Sequence, residues 1–204
     1  CRLLGPRPRP HVRNVYALVR IADEIVDGPA EEAGLSTEVA GEILDQLEQE
    51  TLSATERGFS SNLVVHAFAT TARECGIGPE LVRPFFASMR TDLDTLRHDA
   101  ASHDAYVYGS AEVVGLMCLQ VFVNAGAQHP VAPSPDLVAG ARPLGAAFQD
   151  VNFLRDLRYD ETVLGRDYLG LSTADGERAA VLDRIDRDLA VAAAAIPALP
   201  ADCR

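Results

Sequence analysis

The chain has 204 residues, 48% of them hydrophobic and 24% charged, with no Trp and only 6% aromatics. That length suits one domain with a substantial core, and the shortage of aromatics leaves Ala, Val and Leu to fill it, which favours closely packed helices. A net charge of −12 excludes the basic footprint of a nucleic-acid-binding protein, while an anionic substrate bridged through multivalent cations remains compatible with it.

Arg2 to Pro10 is a Pro/Arg-rich lead-in, and its prolines place the first helix after it, from about His11 to Val26, with Gly28-Pro29 as its stop. Ala30 to Glu50 is acidic with Val39, Ile43, Leu44 and Leu47 at helical spacing, and Thr51 to Ser60 reads as a polar break. Asn62 to Cys75 predicts a helix ended by Gly76, and Pro79 opens another that runs to about His98. A further helix is predicted from about Asp104 to Ala127, with Gly109 and Gly115 marking a kink or a close approach of another group. Its apolar part, Ala111 to Ala127, is interrupted by Glu112, Gln120 and Asn124, as in a buried core helix and unlike a membrane span. Pro130, Pro133 and Pro135 mark a loop. Asp136 to Tyr159 predicts a long helix with Pro143 as a candidate break, Gly165 to Gly176 a loop, and Asp175 to Ile196 a last Ala-rich helix ended by Pro197. Tyr106 to Tyr108 is a weak strand candidate; otherwise the pattern is all-α, a multi-helix bundle. Cys1, Cys75, Cys118 and Cys203 form no C-x-x-C pair; the expectation is reduced thiols, hence a cytoplasmic location.

Two stretches carry chemistry. In Gln149 to Asp160, Gln149, Asn152, Asp156 and Asp160 lie at i, i+3, i+7 and i+11, one face of a helix. In Tyr16 to Asp27, Tyr16, Arg20, Asp23 and Asp27 lie at i, i+4, i+7 and i+11. Two such helices facing each other across a bundle could hold magnesium, which takes oxygen ligands and needs only one or two carboxylates per ion beside substrate phosphates. Asp23 and Asp27 would serve from one side, and Asn152, Asp156 and Asp160 from the other. Arg20, with Arg155 or Arg166, would add direct bonds to a departing diphosphate, above a pocket of Val, Ala, Leu and Phe suited to a hydrocarbon chain. Singly, each feature has a plainer reading. A D-x-x-x-D pattern is ordinarily a solvated face, Arg20 beside Asp23 a surface ion pair, Tyr106 and Tyr108 core residues with hydroxyls at the rim, and His98 and His103 exposed side chains. It is the pairing of the two stripes in one helical chain that points to a metal clamp.

Tyr16 to Asp27 resembles the first aspartate-rich motif of the squalene/phytoene synthase family, Tyr106 to Cys118 its central helix motif, and Gln149 to Asp160 with Gly165-Arg166-Asp167-Tyr168-Leu169 its second motif. In this order and over the whole chain, they look most like the bacterial phytoene synthases. The resemblance implies the isoprenoid synthase type of helical bundle around a central cavity. It also implies a magnesium-dependent reaction (manganese the alternative ion) that joins two prenyl diphosphates head to head through a cyclopropyl intermediate, with two geranylgeranyl diphosphates giving phytoene and released diphosphate. By the same resemblance Asp23, Asp27, Asn152, Asp156 and Asp160 would be metal ligands, with Tyr16, Arg20, Arg155, Arg166 and Tyr168 binding or orienting diphosphate. Tyr106 would lie beside the reacting carbons with Gln149 near it, and Ala111, Val114 and Gly115 would line the prenyl channel. NADPH is not expected, since no G-x-G-x-x-G occurs. Two departures stand out: Gly170 follows Tyr168-Leu169 where the family usually has proline, and relatives extend beyond both ends, so parts of the N- and C-terminal ends are expected to be missing from this single domain. A long apolar product would bring the protein to a membrane surface. The alternatives are a terpene cyclase of the same fold acting on one prenyl diphosphate, a squalene synthase using farnesyl diphosphate, and a degenerate member acting as a partner subunit.

Overall fold

The computed structural model describes residues 3–94, 100–159 and 175–204. Helix α1 spans Arg9–Val26 and buries Val15, Leu18, Ala22 and Val26, a single stripe at i, i+3, i+7 and i+11. It begins earlier than the prolines suggested, because Pro10 falls in the first turn, where a missing N–H costs nothing. A single turn, α2 (Pro29–Glu32), leads to α3 (Thr37–Arg57), whose N-cap Ser36 accepts a hydrogen bond from the Val39 amide. The polar break expected at Thr51 does not occur. The Thr51 and Thr55 hydroxyls donate to the carbonyls of Leu47 and Thr51, at 2.7 and 2.9 Å, so these residues satisfy themselves inside the helix. The helix ends instead at Gly58, in the left-handed region at φ +83°.

Helix α4 (Leu63–Cys75) starts where expected, with the Asn62 side chain accepting from the Val64 and Val65 amides. Helix α5 (Pro79–Asp94) continues through Pro84; the remainder of the stretch expected to reach His98 lies outside the described residues. Next comes one continuous rod: α6 (Ala100–Val107), a π-helical turn (Tyr108–Glu112) and α7 (Val113–Asn124). Tyr106 to Tyr108 is thus helical, correcting the strand reading, since a period of two over three residues is too short to compete with the rod's helical pattern. By length and composition His103–Asn124 could cross a membrane, yet it packs Val113, Met117 and Val121 into the core. Helix α8 (Pro135–Tyr159) is not broken at Pro143, and α9 (Asp175–Ala195) begins at Asp175, as the sequence predicts. Short 3₁₀ turns, Ile196–Ala198 and Ala201–Cys203, follow. No strand occurs among the described residues.

The main core joins α1, α3, α4, α5 and α7 around Leu18, Leu44, Phe68, Phe85, Phe86 and Met117. Helix directions follow from specific contacts. Arg7, just before α1, donates to the carbonyls of Ala125 (2.9 Å) and Phe122 (3.0 Å), so α1 starts beside the end of α7. At its other end, Ile25 and Val26 share a pocket with Asp92, which accepts a hydrogen bond from the Tyr106 hydroxyl at 3.0 Å. Helix α1 therefore runs antiparallel to the α6–α7 rod. Helix α8 does too, because a Cβ on Gly145 would lie 2.6 Å from the Ala111 carbonyl oxygen and one on Gly115 2.9 Å from that of Ala141. Helices α1 and α8 are consequently parallel, and their C-terminal halves reach the same end of the bundle.

Gly145→Ala is expected to force the backbones of α7 and α8 apart and to cost about 1–3 kcal/mol, the usual penalty of overpacking. Denaturant unfolding measures this, and an unchanged midpoint would mean the two helices are not held in contact at that point.

Candidate active site

A cleft of about 410 Å³ opens between the rod, α8 and the end of α9. Ala111, Val114, Gly115, Leu119 and Phe122 wall it from the rod, Leu137, Leu144, Phe148 and Gln149 from α8, and Ala192, Ile196 and Leu199 from the C-terminal segment. Val19 contributes from α1. Along α8 the lining extends from Leu137 to Gln149, about 18 Å at the helical rise. The walls are nearly all hydrocarbon. Ser110 is one of the polar exceptions, its Oγ buried with no hydrogen-bond partner. The Cys118 thiol also lines the cleft, but burial pushes its pKa up to about 11, so it is a neutral, unreactive wall residue.

The cleft brings together four residues singled out in the sequence: Ala111, Val114, Gly115 and Gln149. The acidic stripes continue from its walls. Asp23 lies one turn beyond Val19 on α1, rotated by about 40°, and Asp156 two turns beyond Gln149 on α8, rotated by about 20°. Because the two helices are parallel, both stripes leave the cleft towards the Tyr106 end of the bundle. On α1 the Asp23 carboxylate is partly buried, Asp27 and Tyr16 are exposed, and Arg20 bonds Asp23 at 3.0 Å and also pairs with Glu24. On α8, Asn152 and Arg155 are exposed. Asp156 lies on the last turns of α8, with its side chain outside the described set, and Asp160, Arg166 and Tyr168 fall outside the described residues altogether. Among the described residues no three His, Cys, Asp or Glu side chains converge on a metal-sized site.

Burial, and then the neighbouring charge of Asp27, raises the Asp23 pKa to about 6, against the pull of Arg20. A carboxylate held in this way has unmet demand for positive charge. Its oxygens are of the type magnesium prefers as ligands.

Tyr106 and His103, both named in the sequence, and Asp150, Arg184 and Arg142, which were given no role there, find their partners in this region. Tyr106 is buried against Val107 and Phe153, with ring centroids 6.1 Å apart for the tyrosine and Phe153. Its hydroxyl donates to the buried Asp92, so it is fixed at both ring and tip rather than at a wet rim. His103, expected to be exposed, is enclosed beside Phe153, and burial lowers its pKa. Asp150, next to Gln149, is buried and takes a bidentate pair of bonds from Arg184 of α9, at 2.7 and 2.9 Å. Glu112 in the π turn pairs with Arg142 of α8, whose guanidinium also covers the Tyr108 ring. Only tertiary structure reveals these partners; the sequence signal available was a charged residue on the inner side of an apolar helix.

The squalene/phytoene synthase family model matches residues 1–202. The chain belongs to the squalene/phytoene synthase family. Among relatives of this family, phytoene synthase 3, chloroplastic, of Zea mays is 30% identical over 183 residues, which is 85% of this chain and 41% of that protein. The chain thus spans well under half the length of that relative. Two solved structures share the fold. One is a dehydrosqualene synthase in complex with ligand (TM-score 0.77, 24% identity, 100% of this chain and 72% of the other). The other is a squalene synthase from Alicyclobacillus acidocaldarius (TM-score 0.78, 21% identity, 98% of this chain and 77% of the other). The family's bundle, of isoprenoid synthase type, is therefore the fold of this chain, as its motifs implied.

The raised pKa of Asp23 gives this family member a pH signature. The folded state holds the Asp23 proton up to about pH 6 whereas the unfolded chain releases it near 3.8, so the metal-free protein loses stability as pH rises through that window. Asp23→Asn is expected to increase resistance to denaturant at about pH 7.5 without divalent ions and to change it little at about pH 4. An equal effect at both would contradict the burial of this carboxylate.

Proposed function

We propose that this protein is a prenyltransferase that condenses two prenyl diphosphates head to head, with geranylgeranyl diphosphate as substrate and phytoene as product. The observation that carries the proposal is the exit of two oxygen-rich stripes, on parallel helices, from one end of an apolar cleft about 18 Å long. Membership of the squalene/phytoene synthase family supports it, as does the likeness to the maize phytoene synthase.

The division of labour follows from the chemistry of the walls. The hydrocarbon tail of a prenyl diphosphate gains from leaving water, at roughly 25 cal/mol per Å² of apolar surface, so the tail takes the cleft and the diphosphate stays at the acidic end. Asp23 and Asp27, with Asn152 and Asp156, would hold magnesium, which would supply positive charge for a departing diphosphate. Arg20 is placed to exchange its carboxylate partners for phosphate oxygens. Val114, Gly115 and Leu144 exclude water from the allylic cation. Gln149 offers its amide oxygen, the one strong dipole on the α8 wall, where tail meets head. The fixed Tyr106 hydroxyl, held by Asp92, is oriented before substrate arrives.

Full-length protein incubated with magnesium and geranylgeranyl diphosphate is expected to yield a C40 hydrocarbon. Asp156→Ala should lower kcat by about 10²–10³-fold, the usual loss when one preorganised electrostatic group is removed. A C20 hydrocarbon or alcohol would instead identify a cyclase, and unchanged turnover in the variant would remove Asp156 from the site.

A further inference from the structure

Helix α8 carries the second stripe; the glycine contact at Gly145 fixes its first half against the rod, while beyond Gly145 its apolar residues do not single out one face. Phe148 is 60% exposed and Val151 42% exposed, while Ala147 and Phe153 are buried, so apolar residues lie all around it. Apolar burial alone therefore does not define one inward face for the half of α8 beyond Gly145. A polar anchor in that half is Asp150. Its side chain is only 2% exposed, and it is held by both arms of the Arg184 fork, across 34 residues of sequence. On the helical wheel Asp150 stands about 100° from Gln149, about 160° from Asn152 and about 120° from Asp156.

We infer that Asp150 and Arg184 form a positioning pair that locks the rotation of α8, turning Gln149 to the cleft and the metal-facing stripe to its mouth. The pair rests on the proposed prenyltransferase activity for its purpose, though not for its geometry. Rotating α8 by one residue would withdraw Asp150 from Arg184 and leave a buried carboxylate uncompensated, a heavily penalised state. A planar guanidinium held at two oxygens fixes angle as well as distance, which a point charge does not. Asp188 and Asp104 also bear on Arg184, and burial lowers the pKa of His103, which stands beside Phe153. Arg184 is itself 40% exposed, so the pair contributes little net stability, while a fixed fork on a buried carboxylate can still specify register.

The test compares full-length wild type with the double variant Asp150→Leu/Arg184→Leu and with Arg184→Lys. The double variant is expected to unfold at a temperature equal to or above that of wild type, yet to lose at least about tenfold in kcat with geranylgeranyl diphosphate and magnesium. Its crystal structure is expected to show Gln149 turned from the cleft. Arg184→Lys keeps the charge and loses the fork; it should stay folded and lose kcat to a smaller degree. Gln149 still on the cleft wall in the double variant overturns the inference, as does wild-type kcat in either variant. If the double variant fails to fold, Arg184→Lys decides by its kcat. Absence of turnover by wild type would refute the prenyltransferase reading alone, since the crystal structure of the double variant reads the rotation without it.

Discussion

The contact between α7 and α8 sets the frame for everything else. Gly115 and Gly145 let the two backbones approach until each glycine meets a carbonyl of the other helix, Ala141 and Ala111 respectively. No larger residue fits there without parting the helices. Because the contact pairs low numbers on one helix with high numbers on the other, it makes α8 antiparallel to the rod. The Arg7 bonds to the end of α7 do the same for α1. Two helices antiparallel to a third are parallel to each other, and so the acidic residues near their C-terminal ends are delivered to one end of the bundle. The same small residues, flanked by Val114, Leu119 and Leu144, leave the cleft beside that contact.

The two ends of the cleft are built for opposite tasks. Towards Phe122 and Leu199 the walls are hydrocarbon, and near that end Arg7 bonds Asp202 at 2.8 and 2.9 Å while reaching the Phe122 carbonyl. Towards Tyr106 the groups are charged or dipolar. Asp23 is crowded enough to keep its proton to about pH 6, and a divalent cation competes with that proton for the same oxygens. On the proposed function, a metal diphosphate would satisfy oxygens that are poorly satisfied alone and so would be bound where the reaction is to occur.

Much of this was legible in the chain. Asn62 and Gly76 bound α4 in sequence as they do in structure, because caps act locally through backbone groups two or three residues away. The two stripes could be placed on single faces because helical geometry is fixed. What could not be read depends on partners distant in sequence. Thr51 looked like the start of a break because polar residues usually favour loops, and only its buried position and back-bond to Leu47 keep it helical. His103 looked solvated until Phe153 closed over it. Asp150 lay within the recognised motif, but its significance rests on Arg184, in a helix whose sequence shows nothing but an ordinary charged face.

Whether the α1 and α8 stripes form one site is decided by a crystal structure of the full-length protein with manganese and a non-hydrolysable prenyl diphosphate. Anomalous peaks are expected between Asp23/Asp27 and Asn152/Asp156, with the diphosphate bridging them and the tail running down the cleft past Val114 and Gly115. A diphosphate bound to one helix alone, or a tail outside the cleft, would contradict a shared site.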